Sequence, residues 1–186
     1  MDIFEYCYGP LNLYKNEIRL VVLRPSQEHN TIECNIINTT LNNTDENQNE
    51  LNEFEYEALS YTWGSPDVMK AISIDGQTCS VRENLWLALY HLRLKNTSRV
   101  LWIDALCIDQ NDARERNHQV AQMDKVFKHA KRVLVWLGLA GTLDKVALWF
   151  IGKTEFQLSL RSENGSHLQF HESAKAPTWK AVVNLY

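Results

Sequence analysis

Two near-continuous apolar runs, Arg99 to Ile103 (RVLWI) and Arg132 to Leu137 (RVLVWL), flank a stretch of helical spacing, and this arrangement limits the fold more than any other feature of the chain. A strand that is apolar at every position has both faces covered, as parallel strands between helices do. The helix between two such strands is the crossover that a parallel pair needs. Asp112 is placed to N-cap that helix, with Glu115 three residues on completing a capping-box pattern. Val120, Met123, Phe127 and Ala130 keep helical spacing and predict its narrow buried stripe, while Arg114, Arg116, Lys125, Lys128 and Lys131 fall outside it among Glu115 and Asp124.

The same alternation extends in both directions. Tyr56 to Tyr61 (YEALSY) predicts a short strand that stops at Trp63-Gly64-Ser65-Pro66-Asp67, a turn set by glycine and proline. Ala71 to Ile74 and Thr78 to Val81 flank Asp75-Gly76-Gln77, and the Asp-Gly pair favours the positive φ angles of a tight hairpin. Arg82 to Leu94 predicts a helix with Leu85, Leu89 and Leu92 on one face and Trp86 widening the stripe. Helical patterning resumes over Leu143 to Ile151, and again from Thr178, where Trp179, Val182, Val183 and Tyr186 would share a face. Upstream, Glu17 to Arg24 and Thr31 to Ile37 predict a strand pair, a hairpin or edge layer, broken by Pro25, Ser26 and Asn30. Asn38 to Asn52 holds almost nothing that could offset the entropy of ordering its backbone and is expected to be a mobile surface loop.

These elements predict one α/β domain over residues 1–186: leader strands 1–37, an Asn-rich loop 38–52, and a core 53–186. The expected fold class is a parallel sheet flanked by helices, a flavodoxin-like three-layer arrangement with an N-terminal β-hairpin addition. Right-handed crossovers would put the carboxyl ends of the strands on one rim, where ligands gather in such sheets. Ser60 to Asp67, Asp104 to Asp112 and Leu137 to Thr142 each follow a predicted strand and so converge there.

A chain of 186 residues that is 45% hydrophobic can bury one core without staples. Nineteen basic against twenty-three acidic side chains, 19 − 23 = −4, provide no electrostatic footprint for nucleic acid or an anionic membrane. The cysteines at 7, 34, 79 and 107 form no Cys-x-x-Cys pair, which fits a reduced, cytoplasmic setting. The opening MDIFEYCYGP lacks the basic lead of a secretory signal, and the longest apolar stretch, Val133 to Ala140, is less than half of the about 20 residues that span a bilayer.

Asp104, Asp109 and Asp112 with Asp67 have the chemistry of a Mg²⁺ site. The same carboxylates stand at a strand-to-helix junction, where capping and turn closure need them, and on that reading no metal is expected. Cys107 with His118 would make a thiol nucleophile only if the two met in space beside an orienting group; Leu106 and Ile108 on either side of Cys107 suit buried packing instead. Trp63, in a turn, either lids the core or stacks on a ligand. Ser60 has no Gly-x-Ser-x-Gly elbow around it, and neither a phosphate-binding Gly-x-x-x-x-Gly-Lys loop nor a Gly-x-Gly-x-x-Gly turn is present, so no catalytic residue is assigned.

Tyr56-Glu57-Ala58-Leu59-Ser60-Tyr61-Thr62-Trp63-Gly64, followed by Leu101-Trp102-Ile103-Asp104-Ala105-Leu106-Cys107-Ile108-Asp109-Gln110, resembles the fungal heterokaryon-incompatibility (HET) domain. The resemblance continues in order through Glu115-Arg116, Gln119-Val120, Met123, Ala130 and Val133-Leu134-Val135-Trp136-Leu137-Gly138, and upstream through Tyr8-Gly9-Pro10-Leu11 and Ile18-Arg19-Leu20. Asp109 departs from it, standing where the family more often has Asn. It implies a self/non-self recognition and cell-death module of fungi that works with protein partners, in homotypic or NLR-type assemblies. It also implies a remote kinship with Toll/interleukin-1 receptor (TIR) domains, some of which cleave NAD, the one cofactor in view. Family members usually run on to a Tyr-Trp-x-Arg-x-Trp-x-x-Gln-Glu segment; the sequence here stops at Trp179 to Tyr186, so a signalling module is expected ahead of an enzyme. On this reading the motif residues of the rim are Ser60, Tyr61, Trp63, Gly64, Asp104, Cys107, Asp109, Gln110, Glu115, Arg116 and Gly138.

Overall fold

The computed structural model describes residues 6–25, 31–41 and 54–139, and the backbone of three later strands. The strands are β1 (Glu17–Leu23), β2 (Glu33–Thr40), β3 (Glu57–Tyr61), β4 (Met69–Ile74), β5 (Gln77–Arg82), β6 (Arg99–Trp102), β7 (Arg132–Trp136), β8 (Gln157–Ser162), β9 (Ser166–His171) and β10 (Ala181–Leu185). They form one ten-stranded sheet in the order β5-β4-β2-β1-β6-β3-β7-β10-β9-β8.

The expected neighbours are present: β3 lies between β6 and β7 and runs parallel to both, with Ala58 beside Trp102 on one side and Val133 on the other. β10 continues this parallel block beside β7. The sheet as a whole is mixed, however, which corrects the expectation of a parallel sheet. β1 is antiparallel to β2 and to β6, and the hairpins β4–β5 and β8–β9 are antiparallel.

β1 also corrects the picture of a hairpin added at an edge. It sits inside the sheet with Val21 opposite Leu101, and Ile18, Leu20, Val21 and Leu23 are buried. Its near-continuous apolar run carries the same physical message as RVLWI, coverage on both faces. β2 runs on to Thr40, and Thr39 and Leu41 are buried, so the first residues of the expected 38–52 loop belong to the sheet; 42–52 lie outside the described residues.

Helix α1 (Glu83–Leu92) buries Leu85, Ala88, Leu89 and Leu92, as its spacing requires. The expected single helix after Asp112 is two, α3 (Ala113–Ala121) and α4 (Met123–His129), broken at Gln122. The predicted stripe fails only at its first residue: Val120 is 54% exposed and α3 buries Glu115 and Gln119, with Gln122 at the break, whereas Met123, Phe127 and Ala130 pack against the core as their spacing requires. A short helix α2 (Asp104–Cys107) follows β6 directly. Residues 181–185 are a strand, correcting the helical reading from Thr178; Trp179 and Tyr186 lie outside the described residues, as does the expected helix Leu143 to Ile151.

Candidate functional site at the carboxyl rim

The parallel register sets the site. Tyr61 and Trp136 are partners at the ends of β3 and β7, and Ile103 alone separates the end of β6 from α2 at Asp104, so the chain leaves all three strands on one side of the sheet, the last of the expected segments being described as far as Leu139. The chain after β3 turns through Gly64, whose φ of +73° is open to glycine and strained for other residues. This turn aims the Trp63 indole at α2, where Nε1 donates to Asp104 Oδ2 at 2.8 Å. Asp104 Oδ1 accepts from the Ala105 amide at 2.8 Å, so the carboxylate holds both the helix start and the tryptophan. Burial pushes the Asp104 carboxyl above its ordinary range, and the bonds from Trp63 and Ala105 work against that shift.

Side chains from α1 and its approach brace this turn. Arg82 Nη1 donates to the Gly64 carbonyl at 2.9 Å, and its guanidinium lies 5.1 Å from the Trp63 ring centre. Asn84 Nδ2 donates to the Thr62 carbonyl at 2.5 Å, while its Oδ1 accepts from Trp136 Nε1 at 2.9 Å. One amide thus joins the ends of β3 and β7. Tyr61 is pushed up by burial. Ser60 is paired mid-strand with Val135, and Gly138, with φ +97°, lies two residues past β7.

A second cluster lies beneath α2. Arg19 of β1 donates to Glu115 through Nη1 at 2.5 Å and Nη2 at 3.0 Å, and also to the carbonyls of Gly9 and Cys107. Glu115 Oε1 accepts in addition from the Asp109 amide at 2.7 Å. Gln110 Nε2 reaches the Asp104 carbonyl at 3.0 Å, and Arg116 Nη1 reaches the Gln110 carbonyl at 2.5 Å. Glu115 therefore does not close a reciprocal capping box; Asp112 alone caps α3, accepting from Arg114 and Glu115 amides.

The structure brings together Trp63, Gly64 and Asp104 at the rim, and Cys107, Asp109, Gln110, Glu115 and Arg116 below it. It does not assemble the chemistry considered for them. Asp67 bonds Ser65, Asp109 the Asn111 amide, and Asp112 its own helix; among the described residues no group of three or more acidic, Cys or His side chains is placed to hold a metal. Cys107 is fully buried, with its thiol pushed up to about 12 by burial. His118 Nδ1 is buried without a hydrogen-bond partner, so the two do not form a nucleophile–base pair.

Sequence reasoning passed over Arg82 and Asn84, whose roles depend on side-chain reach, and gave Arg19 no partner. An arginine inside the apolar run EIRLVVL was the signal, because a buried guanidinium demands a buried acid. A cleft of about 260 Å³ opens between the β4–β5 hairpin and α2, walled by Tyr6, Tyr8, Tyr61, Trp63, Arg82 and Asp109. Beside it the rim exposes Trp63 (37%), Leu137 (45%) and Leu139 (53%).

Comparison with known proteins agrees with the motif. The family model described as Heterokaryon incompatibility protein (HET) matches residues 56–182. Heterokaryon incompatibility protein 6, OR allele, of Neurospora crassa is 37% identical over 98 residues, which cover 46% of this chain and 14% of that protein. No solved structure matches the chain.

Proposed function

The chain belongs to the heterokaryon incompatibility family, and from that membership we propose that it is a fungal incompatibility module, one that takes part in self/non-self recognition and triggers cell death through protein–protein assembly in the cytoplasm. The observation that carries this reading is the use the motif residues are put to. Trp63, Asp104, Gln110, Glu115 and Arg116 spend their polar groups on one another and on the backbone around them. They build a braced rim, and that rim presents Trp63, Leu137 and Leu139 to solvent. Exposed apolar side chains on a rigid polar frame suit contact with another protein. The four cysteines, all free, fit a reducing compartment.

The test is death scored in a fungal host, with the domain in its full protein. Leu137→Asp, on an exposed side chain, is expected to abolish killing and leave the thermal melt unchanged. Asp104→Ala is expected to abolish killing at a modest cost in stability, since it releases Trp63. Killing by folded forms of both variants would defeat the proposal.

The aromatic cleft favours a second reading, a nucleotide-binding or NAD-cleaving enzyme akin to some TIR domains, with Arg82 and Asp109 as its charged contacts. NAD turnover by purified protein that Asp109→Ala abolishes would select it.

A further inference from the structure

Among the described residues the sheet ends at β5, and from Gln77 to Val81 that edge lacks the devices that normally blunt one. Gln77 to Val81 contain no proline and no charged side chain, and the β4–β5 register runs unbroken from Met69–Arg82 to Ile74–Gln77 without a bulge. Asp75 and Gly76, with φ of +49° and +79°, make the two-residue turn. In such a hairpin the residues flanking the turn are a hydrogen-bonded pair, and bonded pairs then alternate. Gln77, Cys79 and Val81 therefore spend their backbone groups on β4, and Thr78, Ser80 and Arg82 direct theirs outward. No backbone bond to Thr78 or Ser80 from outside the hairpin is made among the described residues.

We propose that this edge pairs antiparallel with β5 of a second copy of the chain, about a two-fold axis at Ser80. The inference rests on the assembly reading above and names a surface for it. In this register Ser80 faces its own equivalent and Thr78 faces Arg82 of the second copy, so all the outward amides and carbonyls from 78 to 82 find partners. On the other face Cys79 lies opposite Val81 of the second copy, and both side chains are already apolar and buried within each subunit. No like charges meet, and the single charge of the strand falls opposite a hydroxyl. Two-fold pairing of one patch with itself is the commonest route to a closed dimer.

The experiment is sedimentation of the 186-residue chain over a concentration series, with thermal melts as the control for folding. Wild type is expected to show a reversible monomer–dimer equilibrium. Ser80→Pro removes an outward donor without touching a β4 bond and should weaken the dimer about tenfold or more. Thr78→Lys, placed against Arg82, should loosen it, and Thr78→Glu should tighten it. Ser80→Cys should cross-link under mild oxidation, since bonded antiparallel pairs bring Cα atoms to about 5.5 Å, within disulfide range. A monomer at every concentration, growth beyond a dimer, no cross-link, or equal effects of Lys and Glu at 78 would each overturn the pairing. If the dimer behaves as expected but folded Ser80→Pro still kills in the fungal host, the pairing stands and the assembly reading of function fails.

Discussion

Arg19 and Glu115, separated by 96 positions in sequence, form a bidentate ion pair whose side chains are 2% and 7% exposed. Tyr8 covers the guanidinium with its ring centre 4.7 Å away, and the Gly9 and Cys107 carbonyls each accept a further bond from its Nη atoms. The pair joins a strand upstream of the family-matched region to the helix that bears the family motif. Removing one partner strands a charge in a dry site, so Glu115→Gln is expected to cost about 3 to 5 kcal/mol in urea denaturation. Replacing both by methionine should cost less than the single change. A single-variant loss no larger than that of the double would show the pair to be energetically idle.

Gly64→Ala is expected to destabilise more than Gly76→Ala. Both positions have positive φ, worth roughly 1 to 3 kcal/mol of strain for a side chain. A Cβ at 76 would meet open space, whereas one at 64 would come within 3.1 Å of Asn84 Cβ and disturb the amide that joins β3 to β7. Equal shifts in melting temperature would show that Asn84 moves aside freely.

Asp104 and Asp75 should bend the pH dependence of stability in opposite senses. Burial raises the Asp104 carboxyl above its ordinary 3.8, so the stability it contributes is fully present below 3.8 and is lost as pH rises through the raised value. At Asp75 burial also pushes upward, but hydrogen bonds from Tyr6, Asn35 and the Ile36 amide outweigh it and hold the carboxyl below 3.8. Its contribution is present above 3.8 and is lost as pH falls through the lowered value. Relative to wild type, Asp104→Asn should gain stability as pH rises from 3.8, and Asp75→Asn should show a shallower acid limb. Parallel curves for the two variants would contradict both assignments.

Alkylation of the native protein should modify Cys7, which is exposed, and spare Cys34 and Cys107, whose thiols burial pushes up to about 12. All four should react in denaturant. Mass spectrometry that found Cys107 labelled under native conditions would reopen it as a functional thiol.

The strands β3, β6 and β7, helix α1 and the β4–β5 hairpin could be read from the sequence because periodicity, apolar runs and an Asp-Gly turn each point one way. The convergence of Trp63 and Asp104 followed from those strands alone. β1 was harder, since EIRLVVL suits an edge hairpin and an internal strand equally until its partner is known. The polar face of α3 was hidden for a related reason: Glu115 and Gln119 look like solvent positions, and only Arg19 and the Glu17 carbonyl, to which Gln119 Nε2 donates, make them core. In Ala181–Leu185 the adjacent valines fit a strand, but Trp179 and Tyr186 lent them helical spacing.

The internal position of β1 also orders events during synthesis. Val21 pairs with Leu101, so the strand leaves the ribosome about 80 residues before its second neighbour. At about 5 to 20 residues per second that is a wait of roughly 4 to 16 s, during which the strand can be covered on one side only, by β2. A two-stranded ribbon is marginal in water. The nascent domain therefore passes through an interval in which its most apolar leader strand is half-paired, and chaperone binding should peak there and end once β6 emerges.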